Sequence, residues 1–329
     1  DAGARLRDDA QARAELRAQA VAGASPAVVD DQHVLGRRPL GKDGLDASAQ
    51  QRRVRPAAGD CDRHEGIHMV ILLHRKVIIP FMNIGLIDPS AKKTASPMPH
   101  LGLAYIAGSL EQKGHAVSVL DMDVSSPSEI EEFLRTPFDL LGATAASYTF
   151  RRAVEVLGAY KNKNPKVPVV LGGPHVSLEL EKVFDCAEID FAVYGEGEVT
   201  ITELAGRLEE GFDRDQRGYD GILGLIYRKN GEIAVNPPRP RNRELDDLPF
   251  PSYGSLPMER YDTYPVITSR GCPYKCTFCT VPLVDGNLWR ERSAENVLEE
   301  IASLQSRYGR KRIAFCDDSG RCCPIVVAS

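Results

Sequence analysis

Long apolar runs are missing from this sequence: nothing in its 329 residues approaches the roughly 20 consecutive apolar positions that span a bilayer. The opening stretch, DAGARLRDDAQARAELRAQA, also lacks the apolar core of a secretory signal. A surplus of positive charge is missing too. With 41 Lys and Arg against 46 Asp and Glu, the net charge is −5, which argues against a nucleic-acid or membrane-surface footprint. These absences lead to the expectation of a cytoplasmic protein with neither a nucleic acid nor a membrane as partner. In that compartment the eight cysteines read as reduced thiols or metal ligands, not as a disulfide framework.

Aromatic residues are absent from residues 1–68, although the chain holds 10 Phe, 11 Tyr and 1 Trp. The same segment has ten Arg against one Lys, where the remainder has nineteen against eleven. Such a stretch buries too little apolar surface to offset its ordering entropy. Residues 1–68 are therefore expected to be a disordered or non-native extension, with interpretable pattern beginning after Met69.

From there short apolar runs alternate with segments of helical period. Val77-Ile78-Ile79 reads as a strand ending at Pro80, followed by a loop that runs through GLIDPSAKKTASPMPHLG. LGLAYIAGSLEQKG reads as a helix stopped by Gly114, AVSVLD as a strand, and PSEIEEFLR as a helix opened by Pro127. FDLLGATAAS, VPVVLGG and IDFAV continue as strands, with FRRAVEVLGAYKNKN, a shorter helix and VTITELAGRLEEG between and after them. Strands alternating with helices imply parallel pairing and right-handed crossovers, and so a flavodoxin-like (Rossmann-like) doubly wound sheet with ligands at its carboxyl edge. GILGLIYRKNGEIAVN reads as a hairpin turning at Asn230-Gly231. The expected organisation is a first α/β domain over residues 69–235 and a Pro-rich linker over 236–262. A second β/α unit follows over 263–319, with Ser293 capping its helix and Val297, Ile301 and Leu304 on one helix face. Residues 320–329 form an off-pattern tail.

RGCPYKCTFC, Arg270 to Cys279, places Cys272, Cys276 and Cys279 in one loop just past a strand. Structural zinc normally takes four protein ligands, and no fourth Cys or His lies at a nearby spacing. Soft thiolates suit iron–sulfur clusters as well as zinc, and three of them leave one iron of a [4Fe–4S] cluster open. The spacing leaves a cluster, a partial zinc site and unligated thiols all open.

Spacing, strand context and the following WRERSAENVLEEI helix make this loop similar to the CxxxCxxC loop of radical S-adenosylmethionine enzymes. VLGGPHVSLE, DFAVYGEGEVTITEL and PHLGLAYIAGSLEQKGH are similar to the cobalamin-binding domain that precedes it in the B12-binding members. The resemblance implies that Cys272, Cys276 and Cys279 ligate three irons and that S-adenosylmethionine chelates the fourth. Reductive cleavage would then yield a 5′-deoxyadenosyl radical, most naturally for methyl transfer to an unactivated carbon, with radical cyclisation or rearrangement as the alternative. It also implies a small-molecule substrate and an external one-electron donor such as flavodoxin or ferredoxin. Residues 263–319 would be the start of an incomplete (β/α) radical domain, and the chain as given is expected not to turn over.

For S-adenosylmethionine the resemblance points to Phe278 beside the adenine and to Asp317 and Asp318 near the methionyl amino group; the two carboxylates alternatively cap a loop. For cobalamin it points to Ser147, Tyr148 and Thr149, to Gly172, Gly173, Pro174 and His175, and to Tyr194, Gly195, Glu196 and Gly197. Glu196 and Glu198 are equally readable as carboxylates meeting a helix dipole. The DxHxxG signature that supplies a histidine to cobalt is absent, so His100 and His175 remain candidates for an axial ligand against the plainer reading of capping or surface histidines. His115 reads as solvated, and Cys186 and Cys316 as small buried residues. Two competitors come from elsewhere: a non-catalytic cobalamin carrier, and a zinc-stabilised Rossmann-like module. A methylthiotransferase would need a second cluster, and the first domain offers only Cys186.

Overall fold

In the computed structural model, residues 82–90, 96–211 and 217–319 are described. The expected strand at Val77–Ile79, the expected extension over residues 1–68 and the expected tail over 320–329 lie outside them. The first strand described is β1, Asn83–Asp88, inside the stretch read from sequence as a loop. Gly85 interrupts the apolar run of this strand. A Cβ there would stand 2.8 Å from the side chains of Leu141 and Phe138, so the glycine admits the neighbouring strand's side chains.

β1 is an inner strand of a seven-stranded sheet, next to its β2 edge. It pairs in parallel with β2 (Ala116–Asp121) on one side and β3 (Leu140–Thr144) on the other; β4 (Val169–Gly172) and β5 (Phe191–Val193) extend the parallel run. The order β2-β1-β3-β4-β5 is the flavodoxin-like winding. β6 (Leu225–Lys229) and β7 (Glu232–Val235) add an antiparallel hairpin. Its turn residues Asn230 and Gly231 have φ of 54° and 86°, as a two-residue hairpin turn requires.

Alternation along β1 sends Ile84 and Leu86 into one buried cluster and Ile87 into the other. Helices α1 (Leu101–Gln112) and α5 (Glu198–Glu209) pack in the first cluster. On the other face lie α2 (Pro127–Arg135), α3 (Phe150–Lys163) and the short α4 (Pro174–Glu179). Local rules set the helix ends: Ser126 and Glu129 form a reciprocal capping box at α2. His115, expected to be solvated, is 6% exposed and stands 3.5 Å from Glu209, because the turn into β2 tucks beneath α5.

The Pro-rich segment after β7 is firmly packed. Leu245, Tyr253, Leu256, Met258 and Tyr261 are buried in it, and it crosses α1 where Gly108 leaves room: a Cβ there would lie 2.4 Å from the Phe250 carbonyl. Beyond it, β8 (Thr263–Val266) pairs in parallel with β11 (Arg312–Phe315), joined through α7 (Ala294–Tyr308). Ser293 caps α7, and Val297, Ile301 and Leu304 bury its inner face in the same cluster as α1 and α5. The β/α unit bearing the cysteines is thus seated on one face of the sheet by continuous packing. No described helix is long and apolar enough to cross a membrane.

Candidate functional site

The carboxyl ends of β1, β3, β4 and β5 open into a cleft of about 420 Å³. Its floor is Leu86, Ala143 and Thr144, Gly172 to Pro174, and the Gly195–Glu198 turn that starts α5, with His100 to Ile106 of α1 along one side. Its roof comes from the second unit: Ile267, Ser269, Arg270, Val284, Asp285, Cys316 and Asp318.

Gly173 sits at φ 98°, and a Cβ on it would lie 2.7–2.8 Å from Thr144 Oγ1 and the Ala145 backbone. Only glycine suits that backbone. Gly172 is different: a Cβ there would meet nothing nearer than the Val193 carbonyl at 3.8 Å, so its value is open floor. Overhead, the Ser269 hydroxyl is buried in the cleft wall without a hydrogen-bond partner. Bare glycine backbone below and an orphaned hydroxyl above fit a ligand carrying amide or phosphate groups, and the volume suits the nucleotide tail of a corrinoid more than the whole cofactor.

Of the residues expected to hold cobalamin, Gly172, Gly173, Pro174, Gly195, Glu196 and Gly197 line this cleft. Ser147, Tyr148, Thr149, His175 and Tyr194 do not. Thr149 turns back on its own loop, hydrogen-bonding both the N–H and the carbonyl of Ala146. Tyr194 donates its hydroxyl to the Asn236 carbonyl at 2.6 Å. His175 contacts Ser147 Oγ at 3.1 Å and packs against the Phe150 ring, while Tyr148 is exposed. His100 does line the cleft, but as the N-cap of α1: its Nδ1 accepts from the Leu103 N–H at 3.2 Å. A neutral imidazole accepting at Nδ1 carries its proton on Nε2, so His100 offers a donor to the cleft and no lone pair to a metal.

The cysteine loop leaves from β9 (Ser269–Arg270), passes the single turn α6 (Val281–Val284), and returns in β10 (Arg290–Glu291), which pairs antiparallel with β9. Cys272 and Cys279 are half-buried and Cys276 is exposed, all as free thiols. Among the described residues no three His, Cys, Asp or Glu side chains converge enough to hold a metal ion. The donor set nonetheless suits a cluster: three soft, unoxidised thiols on one accessible loop. Metal binding supplies the closure of such loops as part of its own free energy.

Asp317 and Asp318 hold the loop's stem. Asp317 accepts from the Thr268 N–H at 2.7 Å, the Thr268 hydroxyl at 2.6 Å and the Ser269 N–H at 2.9 Å; Asp318 accepts from the Gly271 N–H at 3.0 Å. Asp317 therefore acts here as a loop cap, and Asp318 is the one of the pair on the cleft wall. Phe278 is 90% exposed and lies outside the cleft lining. Cys316, expected to be buried, is exposed just past the end of β11; partial desolvation of its sulfur and the charge of Asp317 raise its pKa. Cys186 is half-buried against the α3 side of the core.

Sequence reasoning missed Arg270 and Arg290. Arg270 reaches Glu198 at 2.7 Å and Glu196 at 3.4 Å, with its guanidinium 4.8 Å from the Tyr105 ring centre. Arg290 reaches the same Glu196 oxygen at 2.7 Å and donates to the Asn242 carbonyl. Burial alone would lift the Glu196 carboxyl, but the Arg290 hydrogen bond and the charge of Arg270 outweigh it and hold the group below the usual carboxylate range. For Asp285, burial and the charge of Asp318 win, and its pKa is raised. The available signal was the arginine immediately before the first loop cysteine's glycine, with two carboxylates in GEGE to receive it.

Residues 89–205 match the model of the B12 binding domain family. The uncharacterized methyltransferase PH0819 of Pyrococcus horikoshii is 41% identical over 230 residues, covering 67% of this chain and 49% of that protein. The anaerobic magnesium-protoporphyrin IX monomethyl ester cyclase of Rubrivivax gelatinosus is 29% identical, over 65% of this chain and 40% of its own length. Among solved structures, the radical S-adenosylmethionine methyltransferase TsrM of Kitasatospora setae, with cobalamin and a [4Fe–4S] cluster bound, matches 72% of this chain and 48% of its own at a TM-score of 0.57 and 21% identity. The chain spans less than half the length of each of these proteins. Residues 89–205 are a B12-binding domain, and the chain that carries it resembles the cobalamin-dependent radical S-adenosylmethionine enzymes in both sequence and fold.

Proposed function

We propose that this chain is the cobalamin-binding and cluster-bearing part of a radical S-adenosylmethionine enzyme, and that the enzyme transfers a methyl group to an unactivated carbon of a small molecule. One observation carries the reading: a single cleft has the B12-binding domain as its floor and the stem of the CxxxCxxC loop as its roof. Two cofactors that must exchange a group need such a shared space. When bound, the cluster supplies the electron that cleaves the sulfonium, and cobalamin supplies the carrier for the methyl group.

The chain's own residues do the placing. Gly172 and Gly173 give the tail of a corrinoid bare backbone to lie against, and His100 offers it an N–H. Cys272, Cys276 and Cys279 hold iron. Asp317 fixes the loop stem, leaving Asp318 and Phe278 toward S-adenosylmethionine, and an external one-electron donor reaches the exposed loop from outside. Ring closure on the same scaffold is the second reading, favoured by the likeness to the Rubrivivax cyclase.

The test is anaerobic reconstitution with iron and sulfide, beside a dark titration with methylcobalamin. The expected result is the broad charge-transfer absorption of a cluster and saturable cobalamin binding. The Cys272→Ala/Cys276→Ala/Cys279→Ala variant should lose the iron and keep the cobalamin. Colourless protein holding one zinc per chain, or no cobalamin binding, overturns the proposal. Methyl transfer separates from ring closure by whether labelled methyl from S-adenosylmethionine enters the product.

A further inference from the structure

Arg270 is the last residue before the cysteine loop and Arg290 the first after it, and the two face each other across the β9–β10 pair. Like charges directly opposite in a two-stranded ribbon repel, and among the described residues no third strand joins this ribbon. What lies between them is the Gly195–Glu198 turn of the B12-binding domain. Glu196 meets both arginines through one oxygen, and its other oxygen accepts from the Asn242 N–H at 3.1 Å; Glu198 takes Arg270 from the second side. The side chains of all four are at most 15% exposed, so water screens them little. Glu198 also opens the first turn of α5, whose dipole favours a carboxylate there, and Glu196 stands just before the Gly197 N-cap. Gly195, Glu196, Gly197 and Glu198 are themselves cleft lining, with Gly195 at φ 75°.

We infer that the Gly195–Glu198 turn is a coupling device, in which Glu196 and Glu198 clamp both stems of the cysteine loop through Arg270 and Arg290 so that filling the cleft and closing the loop reinforce each other. The four side chains are positioning residues and touch no reacting atom. A ligand against the floor stiffens the turn, the turn holds the two arginines together, and the arginines bring the ends of the loop into register. Coupling of this kind is reciprocal: whatever factor cobalamin adds to loop closure, loop closure adds to cobalamin affinity. The inference rests on the cobalamin-binding reading above, and its test separates the two.

The test follows alkylation of Cys272, Cys276 and Cys279 by iodoacetamide, in the iron-free full chain under reducing conditions and in the dark, with and without saturating methylcobalamin. Peptide mass spectrometry reads each thiol. Saturating methylcobalamin should slow labelling of the wild-type loop by about five-fold or more, the lower edge of ordinary coupling. Glu196→Gln/Glu198→Gln should label faster without cofactor, bind methylcobalamin more weakly by the factor that the wild type gains in loop closure, and show that same labelling rate once methylcobalamin is raised to saturate it. Should the double change unfold the chain, Glu198→Gln alone is read, with a partial loss of the effect expected. Asp317→Asn loosens the same stem from outside the cleft floor; it should label faster throughout yet keep its response to methylcobalamin. Slowing that persists undiminished in the Gln variants would mean the cofactor merely shields the thiols, and the clamp is wrong. Equal wild-type rates despite measured binding would overturn the clamp alone. No binding to the wild type would remove the cobalamin reading and the clamp with it.

Discussion

The floor and the roof of the cleft are held by different forces. The floor is the edge of a buried parallel sheet, where glycine backbone and apolar packing leave a surface that needs nothing further to exist. The roof is a two-stranded ribbon and a loop with thiols partly in solvent, kept in place by arginines, carboxylates and a few backbone hydrogen bonds. A packed floor fixes where a cofactor lies before it arrives. A roof held by charge adjusts when metal does. Changes to the two should therefore differ in kind: packing and buried-charge changes beneath the roof should cost global stability, and changes in the roof itself should cost loop closure.

The largest effect is expected beneath the roof, where Arg292 of the second unit reaches the Tyr105 hydroxyl of α1 at 3.3 Å. Arg292 and Glu300 form an ion pair with side chains only 2% exposed, joined by the Tyr253 hydroxyl to Glu300 at 2.7 Å. Glu300→Leu leaves the Arg292 guanidinium buried without its carboxylate, and the expected loss is about 3–5 kcal/mol in urea unfolding. Adding Arg292→Met should recover much of it, since two apolar side chains carry no desolvation cost. A loss under about 1 kcal/mol would put the pair in the class of solvated ones.

Two glycine substitutions sharpen the comparison at smaller cost. Gly173→Ala forces a side chain onto a φ of 98° and against Thr144 and Ala145, for an expected loss of about 1–3 kcal/mol with a matching loss of methylcobalamin affinity. Gly271→Ala is as strained locally, since φ is 79° and the Cβ would stand 2.2 Å from the Leu288 carbonyl. It lies in the loop, so the expected result is a small change in the urea midpoint and a large rise in alkylation of the three cysteines. Equal losses of global stability from both would mean that floor and roof unfold as one cooperative piece.

Where sequence reasoning succeeded and failed follows the same division. The flavodoxin-like alternation was legible because buried parallel strands and amphipathic helices repeat at periods that composition exposes; AVSVLD and PSEIEEFLR are β2 and α2 residue for residue. β1 was hidden because Gly85 serves a neighbour's packing, which no local pattern records. In the site, glycine pairs at strand ends pointed to the floor, whereas Ser147, Tyr148 and Thr149 share a strand end with the cleft yet point elsewhere. The Arg270–Glu198 contact joins residues 72 positions apart, and Glu196 and Arg290 are 94 apart. Charges that far apart declare their partner only after the connector has folded the second unit onto the first.

The smallest effect bears on whether charge holds the roof, and pH reads it. The Glu196 carboxyl titrates below its ordinary value of 4.5 in the folded chain, with burial opposing the shift and Arg290 and Arg270 imposing it. A carboxyl depressed by folding contributes stability that is fully present above its unfolded pKa and lost as pH falls through the folded one. Glu196→Gln removes that contribution at neutral pH and leaves nothing to titrate. The stability difference between wild type and Glu196→Gln should therefore be constant from neutral pH down to about 5 and shrink as the wild type protonates below its unfolded value. Urea midpoints for the pair across this range give the answer, since groups common to both chains cancel. A difference that stays constant well below 4.5 would mean that Glu196 acts on the ribbon as a hydrogen-bonding side chain and not as a charge, and the repulsion between Arg270 and Arg290 would need another counterweight.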